Sequence, residues 1–171
     1  MGALSSMFWA LWYILPAYFA NASPVLLGGG RPIDGGRKWR DGNRILGDGK
    51  TWRGFLGGVS VGTLVGVLQY YLTPAFYGSL KTAVLLAFLL SFGALVGDLV
   101  GSFIKRRLNL PRGYPAVGLD QLGFLISALA FAYPVKTISS GQMLFLLIFT
   151  PLVHWGANYF AYKMGWKSVP W

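Results

Sequence analysis

The chain has 171 residues, 54% hydrophobic and only 12% charged, where a soluble domain carries about 25% charged residues. That balance excludes an ordinary water-soluble globule and makes a bilayer the natural solvent. The net charge of +10 points to anionic headgroups or a phosphorylated substrate, and not to nucleic acid, because the charge is not spread over a soluble folded face. With no Cys, disulfides, thiolate metal sites and a thiol nucleophile are excluded. With no Glu, the acids are Asp34, Asp41, Asp48, Asp98 and Asp120.

The first apolar run, residues 3–27, is rich in Trp, Tyr, Phe and Leu, with a kink expected at Pro16. Ala20-Asn21-Ala22 resembles a signal-peptidase site, but no Lys or Arg precedes the run, so a retained span is expected. Met1-Gly2 with Ser6 fits a myristoylation pattern, redundant for a chain already in the membrane. Residues 28–53 form a polar loop with seven cations, three acids and recurrent glycines. A loop of that length is functional or disordered.

Four further apolar runs, 54–73, 81–104, 118–135 and 141–162, are each about long enough to cross ~30 Å of hydrocarbon as a helix. Gly58, Gly62 and Gly66, four residues apart, let neighbouring helices approach the 54–73 span closely. No repeat or low-complexity tract interrupts the pattern. The expected architecture is an all-α integral membrane protein of about five transmembrane helices in a single domain, 1–171. Its two polar loops, 28–53 and 105–117, form the site.

Loop charge sets the orientation. The 28–53 loop, Lys105, Arg106, Arg107 and Arg112, and the tail residues Lys163 and Lys167 carry thirteen cations, against Lys81 and Lys136 on the other side. The positive-inside bias puts the N-terminus outside and the C-terminus in the cytoplasm. All five Asp residues then fall on the cytoplasmic side of a multi-pass protein of the cell membrane. Trp39, Trp52, Trp166 and Trp171 flank spans on that side as interfacial anchors.

Asp98 and Asp120 each stand just inside an apolar run, where an ionisable residue is costly and marks function by default. On a helix Asp98, Ser102 and Lys105 share one stripe, with Gly97 and Gly101 expected to leave room beside them; Asp120, Gly123 and Ser127 form another. Two carboxylates at a polar mouth suit Mg²⁺, which is held by one or two carboxylates plus substrate phosphates. The competing structural reading has Asp98 paired with Lys105 or Arg106 to close a helix end. Gly47-Asp48-Gly49-Lys50-Thr51-Trp52-Arg53-Gly54 reads as a phosphate cradle, with Lys50 and Arg53 supplying charge. It is not a Walker A loop, because Arg44 stands where the first Gly is needed. His154 and Asn158, one turn apart, can meet a phosphate or bond a neighbouring helix.

Ser102-Phe103-Ile104-Lys105-Arg106, with Asp120-Gln121-Leu122 beginning fourteen residues later, resembles the signature of the phosphatidate cytidylyltransferases (CDP-diacylglycerol synthases). The segments 47–54, 97–107, 119–124 and 162–171 are similar to the archaeal branch of that family, the CDP-archaeol synthases. Pro111-Arg112 replaces the family's Lys-Asp, only Gly118 remains of its His-Gly-Gly, and Gly123 replaces its closing Asp. The resemblance implies that CTP reacts with an isoprenoid lipid phosphate, 2,3-bis-geranylgeranyl glycerol 1-phosphate, to give a CDP-lipid and pyrophosphate. It also implies Mg²⁺ on Asp98 and Asp120, with a further carboxylate from Asp48 or another loop acid if two metals bind.

The residues implied to act on the reacting groups are Asp98, Asp120, Lys105 and Ser102. Those implied for substrate phosphates are Gly47, Asp48, Gly49, Lys50, Thr51, Arg53, Arg106, Arg107, Arg112, His154 and Asn158. The lipid tails are expected in a groove lined by the glycine face of residues 58–66. The alternatives are a phosphatidate cytidylyltransferase for ester lipids and a small transporter or channel subunit with Asp98 and Asp120 as an ion relay. A CDP-alcohol phosphotransferase is disfavoured by the absence of its paired-Asp motif. Oligomeric state is not legible from the chain.

Overall fold

The computed structural model describes residues 2–111 and 113–170, and its regular elements are helices, with two isolated β-bridges. In chain order these are α1 (Ala3–Ala22), α2 (Pro24–Leu27), α3 (Trp52–Leu72), α4 (Pro74–Tyr77), α5 (Leu80–Arg107), α6 (Leu119–Ala132) and α7 (Ser140–Lys163). Ala3–Leu27, α3, α5 and α7 are long and apolar enough to cross a membrane; α6 is a shorter apolar helix. The five expected apolar helices are all present, and the one expected over 118–135 is the shorter α6. Pro134, which lacks the N–H that continues a helical ladder, follows closely on the 14-residue α6.

Local chemistry explains the ends. Thr51 caps α3 by accepting from the Gly54 N–H at 3.2 Å, and Ser79 caps α5 through the Thr82 N–H at 3.1 Å. Ser139 and Gln142 cap α7 reciprocally. Lys105, Arg106 and Arg107 occupy the last turn of α5, where cations meet the negative end of the helix dipole.

Glycines make the bundle tight. A Cβ on Gly58 would lie 2.7 Å from the Ala20 carbonyl oxygen, and one on Gly62 2.5 Å from that of Pro16. One on Gly66 would collide with Ala87 Cβ. The 58–66 face is thus a closed seam of α3 against α1 and α5, and the expected tail groove there does not exist. Gly97 also departs from expectation. A Cβ there would meet the Gly123 carbonyl oxygen at 2.5 Å and Ser127 Cβ at 2.7 Å, so α6 fills the room that Gly97 was expected to leave.

Pro16 leaves the Trp12 carbonyl without its helical donor, and the buried Gln69 amide supplies one at 2.7 Å. The Gln69 side-chain oxygen Oε1 in turn accepts from Tyr77 Oη at 2.9 Å. At the same end Tyr13 Oη donates to the Lys136 carbonyl at 2.6 Å. The Lys136 ammonium donates to the Phe76 carbonyl and lies 3.5 Å from the Phe76 ring centroid. Burial pushes the Lys136 ammonium below the ordinary lysine range.

Candidate active site

The long loop is folded, and one carboxylate folds it. Asp34, fully buried at its side chain, accepts from the backbone N–H groups of Gly36 (3.1 Å), Leu46 (3.0 Å) and Gly47 (3.0 Å). It also takes Arg44 Nη2 at 2.7 Å. Burial alone would raise its pKa, but the Arg44 guanidinium and those N–H groups outweigh it and hold the carboxyl well below the usual range. Arg44 also reaches Asp48 at 2.5 Å.

The loop's two ends close on each other, the Ile33 N–H on the Lys50 carbonyl and the Trp52 N–H on that of Arg31. Arg107 straps the loop to α5. Its Nη2 donates to the Arg44 carbonyl at 2.6 Å, its Nε lies 3.2 Å from an Asp41 oxygen, and its guanidinium covers the Phe103 ring at 4.9 Å. Trp39, which the sequence reads as an interfacial anchor, packs edge-on to Phe103 at 5.5 Å within the strap.

That fold delivers Lys50 to the bundle. Its ammonium donates to Asp98 Oδ2 at 2.5 Å. Lys105 donates to Asp120 Oδ1 at 2.7 Å; Asp120 Oδ2 accepts from the Ala116 N–H at 2.9 Å. Asp120 stands in the first turn of α6, a favourable place for negative charge. The structural reading that paired Asp98 with Lys105 or Arg106 is thus replaced by two ion pairs that cross between elements. All four side chains are partly exposed, at 16–32%, so solvent reaches the pairs and an incoming anion can compete for the lysines.

The tail completes the cluster. Lys167 Nζ donates to Asn158 Oδ1 at 2.9 Å, and the Asn158 amide contacts His154 Nδ1 at 3.1 Å. Burial pushes the Lys167 ammonium down; the Asp120 carboxylate opposes that shift, and Lys105 and Lys50 add to it. Lys50, Lys105, Lys167 and Asp120 therefore share one electrostatic neighbourhood, next to His154 and Asn158.

Other sequence-predicted residues have local roles. Thr51 is buried as the α3 cap, Arg53 Nε donates to the Leu27 carbonyl at 2.8 Å, and the Gly47 N–H is spent on Asp34. Gly49 is exposed in the turn before Lys50, and Ser102 is buried one turn beyond Asp98. Arg106 and Asp48 line a separate cavity. Arg112 and Trp171 lie outside the described residues.

The three loop acids are held by arginines, Asp34 and Asp48 by Arg44 and Asp41 by Arg107. Among the described residues no group of three or more metal-ligand side chains forms. Sequence reasoning missed Asp34 and Lys167. The signal for Asp34 was the following Gly35-Gly36, which favours an Asx turn; Lys167 looked like one more tail charge.

Membrane-length helices with a lysine–carboxylate cluster at one end of the bundle define a small polytopic helical membrane protein with a polar site at that end. A sequence profile described as CDP-archaeol synthase (CarS-like) matches residues 3–171, and the chain belongs to that family. Curated relatives named CDP-archaeol synthase from Thermococcus gammatolerans and Thermococcus kodakarensis are 99% and 83% identical, each over the full length of both chains. One from Methanocaldococcus jannaschii is 51% identical over 96% of this chain and 97% of its own. A solved intramembrane enzyme of archaeal membrane lipid biosynthesis superposes with a TM-score of 0.81 at 39% identity, covering 89% of this chain and 94% of that one.

Proposed function

We propose that this protein is a CTP-dependent cytidylyltransferase that converts 2,3-bis-geranylgeranyl glycerol 1-phosphate and CTP to CDP-archaeol and pyrophosphate, with its site on the cytoplasmic face. Full-length kinship to enzymes named CDP-archaeol synthase supports the reaction. The geometric observation that carries the site assignment is the pair of inter-element contacts Lys50–Asp98 and Lys105–Asp120 at one end of the bundle. Ammonium groups held by carboxylates are ready to transfer to phosphate oxygens.

In the reaction a lipid phosphate oxygen attacks the α-phosphorus of CTP. The new O–P bond forms as the bond to the β-phosphate bridge oxygen breaks, and pyrophosphate leaves with that electron pair. The attacking oxygen is already anionic, so no protein base need remove a proton. Positioning and charge stabilisation dominate such a transfer, consistent with a site that offers lysines, carboxylates and one histidine. Lys50 and Lys105 release their carboxylates to hold triphosphate oxygens, while Lys167, oriented by Asn158, and His154 serve the lipid phosphate.

The donor set fits Mg²⁺. Asp98 Oδ1 has no partner among the described residues, and a two-carboxylate site completed by phosphates and water is the usual arrangement for this ion. Bound there, Mg²⁺ would neutralise triphosphate charge. The assay is purified protein with radiolabelled CTP, Mg²⁺ and the isoprenoid lipid phosphate; production of CDP-lipid and pyrophosphate in equal amounts is expected. Absence of both products sinks the proposal.

A further inference from the structure

The hairpin at the tip of the long loop uses up its acids and keeps its cations. Its backbone is fixed by the Lys38–Arg44 bridge, by the Ile45 N–H on the Arg37 carbonyl at 3.1 Å and by the Trp39 N–H on the Asn43 carbonyl at 2.7 Å. Asp41, in the turn, spends Oδ1 on the Asn43 N–H at 3.0 Å and Oδ2 on Arg107 Nε at 3.2 Å. Asp34 and Asp48 are taken by Arg44. Arg37, Lys38 and Arg40 are exposed, and none of their side chains pairs with a described residue. Three cations thus stand close together, with no loop acid left to balance them.

Among these cations sits Trp39, 47% exposed and packed edge-on to Phe103. Phe103 sets its depth. α5 has 28 residues, a rise of about 42 Å, and so outruns the ~30 Å of hydrocarbon. Counted from Lys81 in its first turn, about 20 residues of span bring the helix out near Gly101. Phe103 then stands just beyond, in the headgroup layer. Val100 and Ile104 share the helix face of Phe103 and are themselves exposed, so this side of α5 is open to lipid.

That combination selects the occupant. Tryptophan favours headgroup depth, and long basic side chains reach phosphates while their stems rest on apolar surface. A soluble anion makes no use of the half-exposed indole, and an apolar partner makes none of three unpaired cations. An anionic headgroup uses both.

We infer that the Arg37–Ile45 hairpin is a docking surface for anionic phospholipid headgroups of the leaflet at the cation-rich end of the bundle. Arg37, Lys38 and Arg40 meet phosphate oxygens, and Trp39 lies among the headgroups. The hairpin is already closed on itself, so little order is lost on docking. The surface lies outside the transfer site and does not rest on the transferase reading. The same loop presents Lys50 to Asp98, so leaflet charge steadies the segment that delivers that lysine.

The test follows hydrogen exchange at the Trp39 and Ile45 amides in the purified full chain, one copy per nanodisc. One set of discs is phosphatidylcholine alone; the other mixes in phosphatidylglycerol. Both are measured in about 0.1 M and about 1 M salt, between which the Debye length falls from about 10 Å to about 3 Å. Each basic side chain near an anionic surface adds about a fivefold attraction, so exchange at both amides should slow at least about tenfold in the anionic discs at the lower salt. At the higher salt it should return to the neutral-disc rate. Protein carrying Arg37→Gln, Lys38→Gln and Arg40→Gln together should exchange equally in both discs.

Equal exchange of the wild-type chain in the two discs at the lower salt overturns the inference, as does slowing that survives in the triple variant. If the triple variant does not fold, the salt dependence of the wild type decides, and slowing that persists at the higher salt overturns it. Inorganic pyrophosphate that slows exchange equally in neutral discs makes the tip a soluble-anion site instead. Slowing that needs two copies in one disc makes it a contact between copies, and that result too overturns the inference.

Discussion

Asp98 and Asp120 each hold a lysine from another segment, so removing either acid also releases its lysine. Asp98→Ala leaves the Lys50 ammonium without its carboxylate and removes one candidate metal ligand. Turnover should fall by at least 10²–10³-fold, roughly the loss seen when a single charge-stabilising group is deleted. Asp120→Ala should do the same. Circular dichroism and the melting temperature should stay near wild type, since both pairs are partly solvated. Full activity in either variant refutes its role.

Asp34 contributes differently. Its replacement by Asn removes a buried charge that Arg44 and three backbone N–H groups depend on. Breaking such a pair costs about 3–5 kcal/mol, expected as rapid tryptic cleavage at the exposed Arg37, Lys38 and Arg40. Because the folded carboxyl titrates below its unfolded value of about 3.9, its stabilisation is present in full above that pH. It is lost only as pH falls through the lower folded value. The Leu46 and Gly47 amides should therefore stay protected from hydrogen exchange from pH 7 to below about 4, and open only as the pH approaches the lower folded value.

At the scale of elements, the α3 seam tests the packing. Gly62→Leu places a side chain against the Pro16 carbonyl and Ser91, and overpacking of a tight core costs typically 1–3 kcal/mol or more. A lower melting temperature in detergent is expected at Gly62, and little change from Gly156→Leu, where a Cβ meets nothing within 4 Å. The seam was legible because four-residue glycine spacing is a local pattern. Its partners were not, and the face that looked open to lipid tails is shut. The two acids were legible for a similar reason, since charge in an apolar run stands out. Their lysine partners were only half legible. Helical spacing places Lys105 on the Asp98 stripe, yet Lys105 turns to Asp120 and a lysine 48 residues away takes Asp98. Spacing rules describe one element, and these pairs are made between elements.

For the whole molecule, loop charge alone argued the orientation, and the chain's lack of Cys makes it directly testable. Single cysteines at Thr137 and at Lys38, both exposed, give one reporter for each side. In intact cells a membrane-impermeant maleimide should label Thr137→Cys and not Lys38→Cys, and the reverse pattern refutes the proposed topology. Helix number and order were readable from hydropathy, but the point where the 118–135 run leaves its helix, after Ala132, was not, because composition does not reveal where a backbone turns.

That short helix has a consequence for the bilayer itself. Fourteen residues rise only about 21 Å, against roughly 30 Å of hydrocarbon. Set with Ala132 at one boundary of the hydrocarbon, α6 would end its Asp120 turn short of the other, and lipid beside it would thin or tilt to match. A membrane-bound phosphate could then sink toward the carboxylates while its tails stay in hydrocarbon, and bilayer thickness becomes a control on how readily substrate enters.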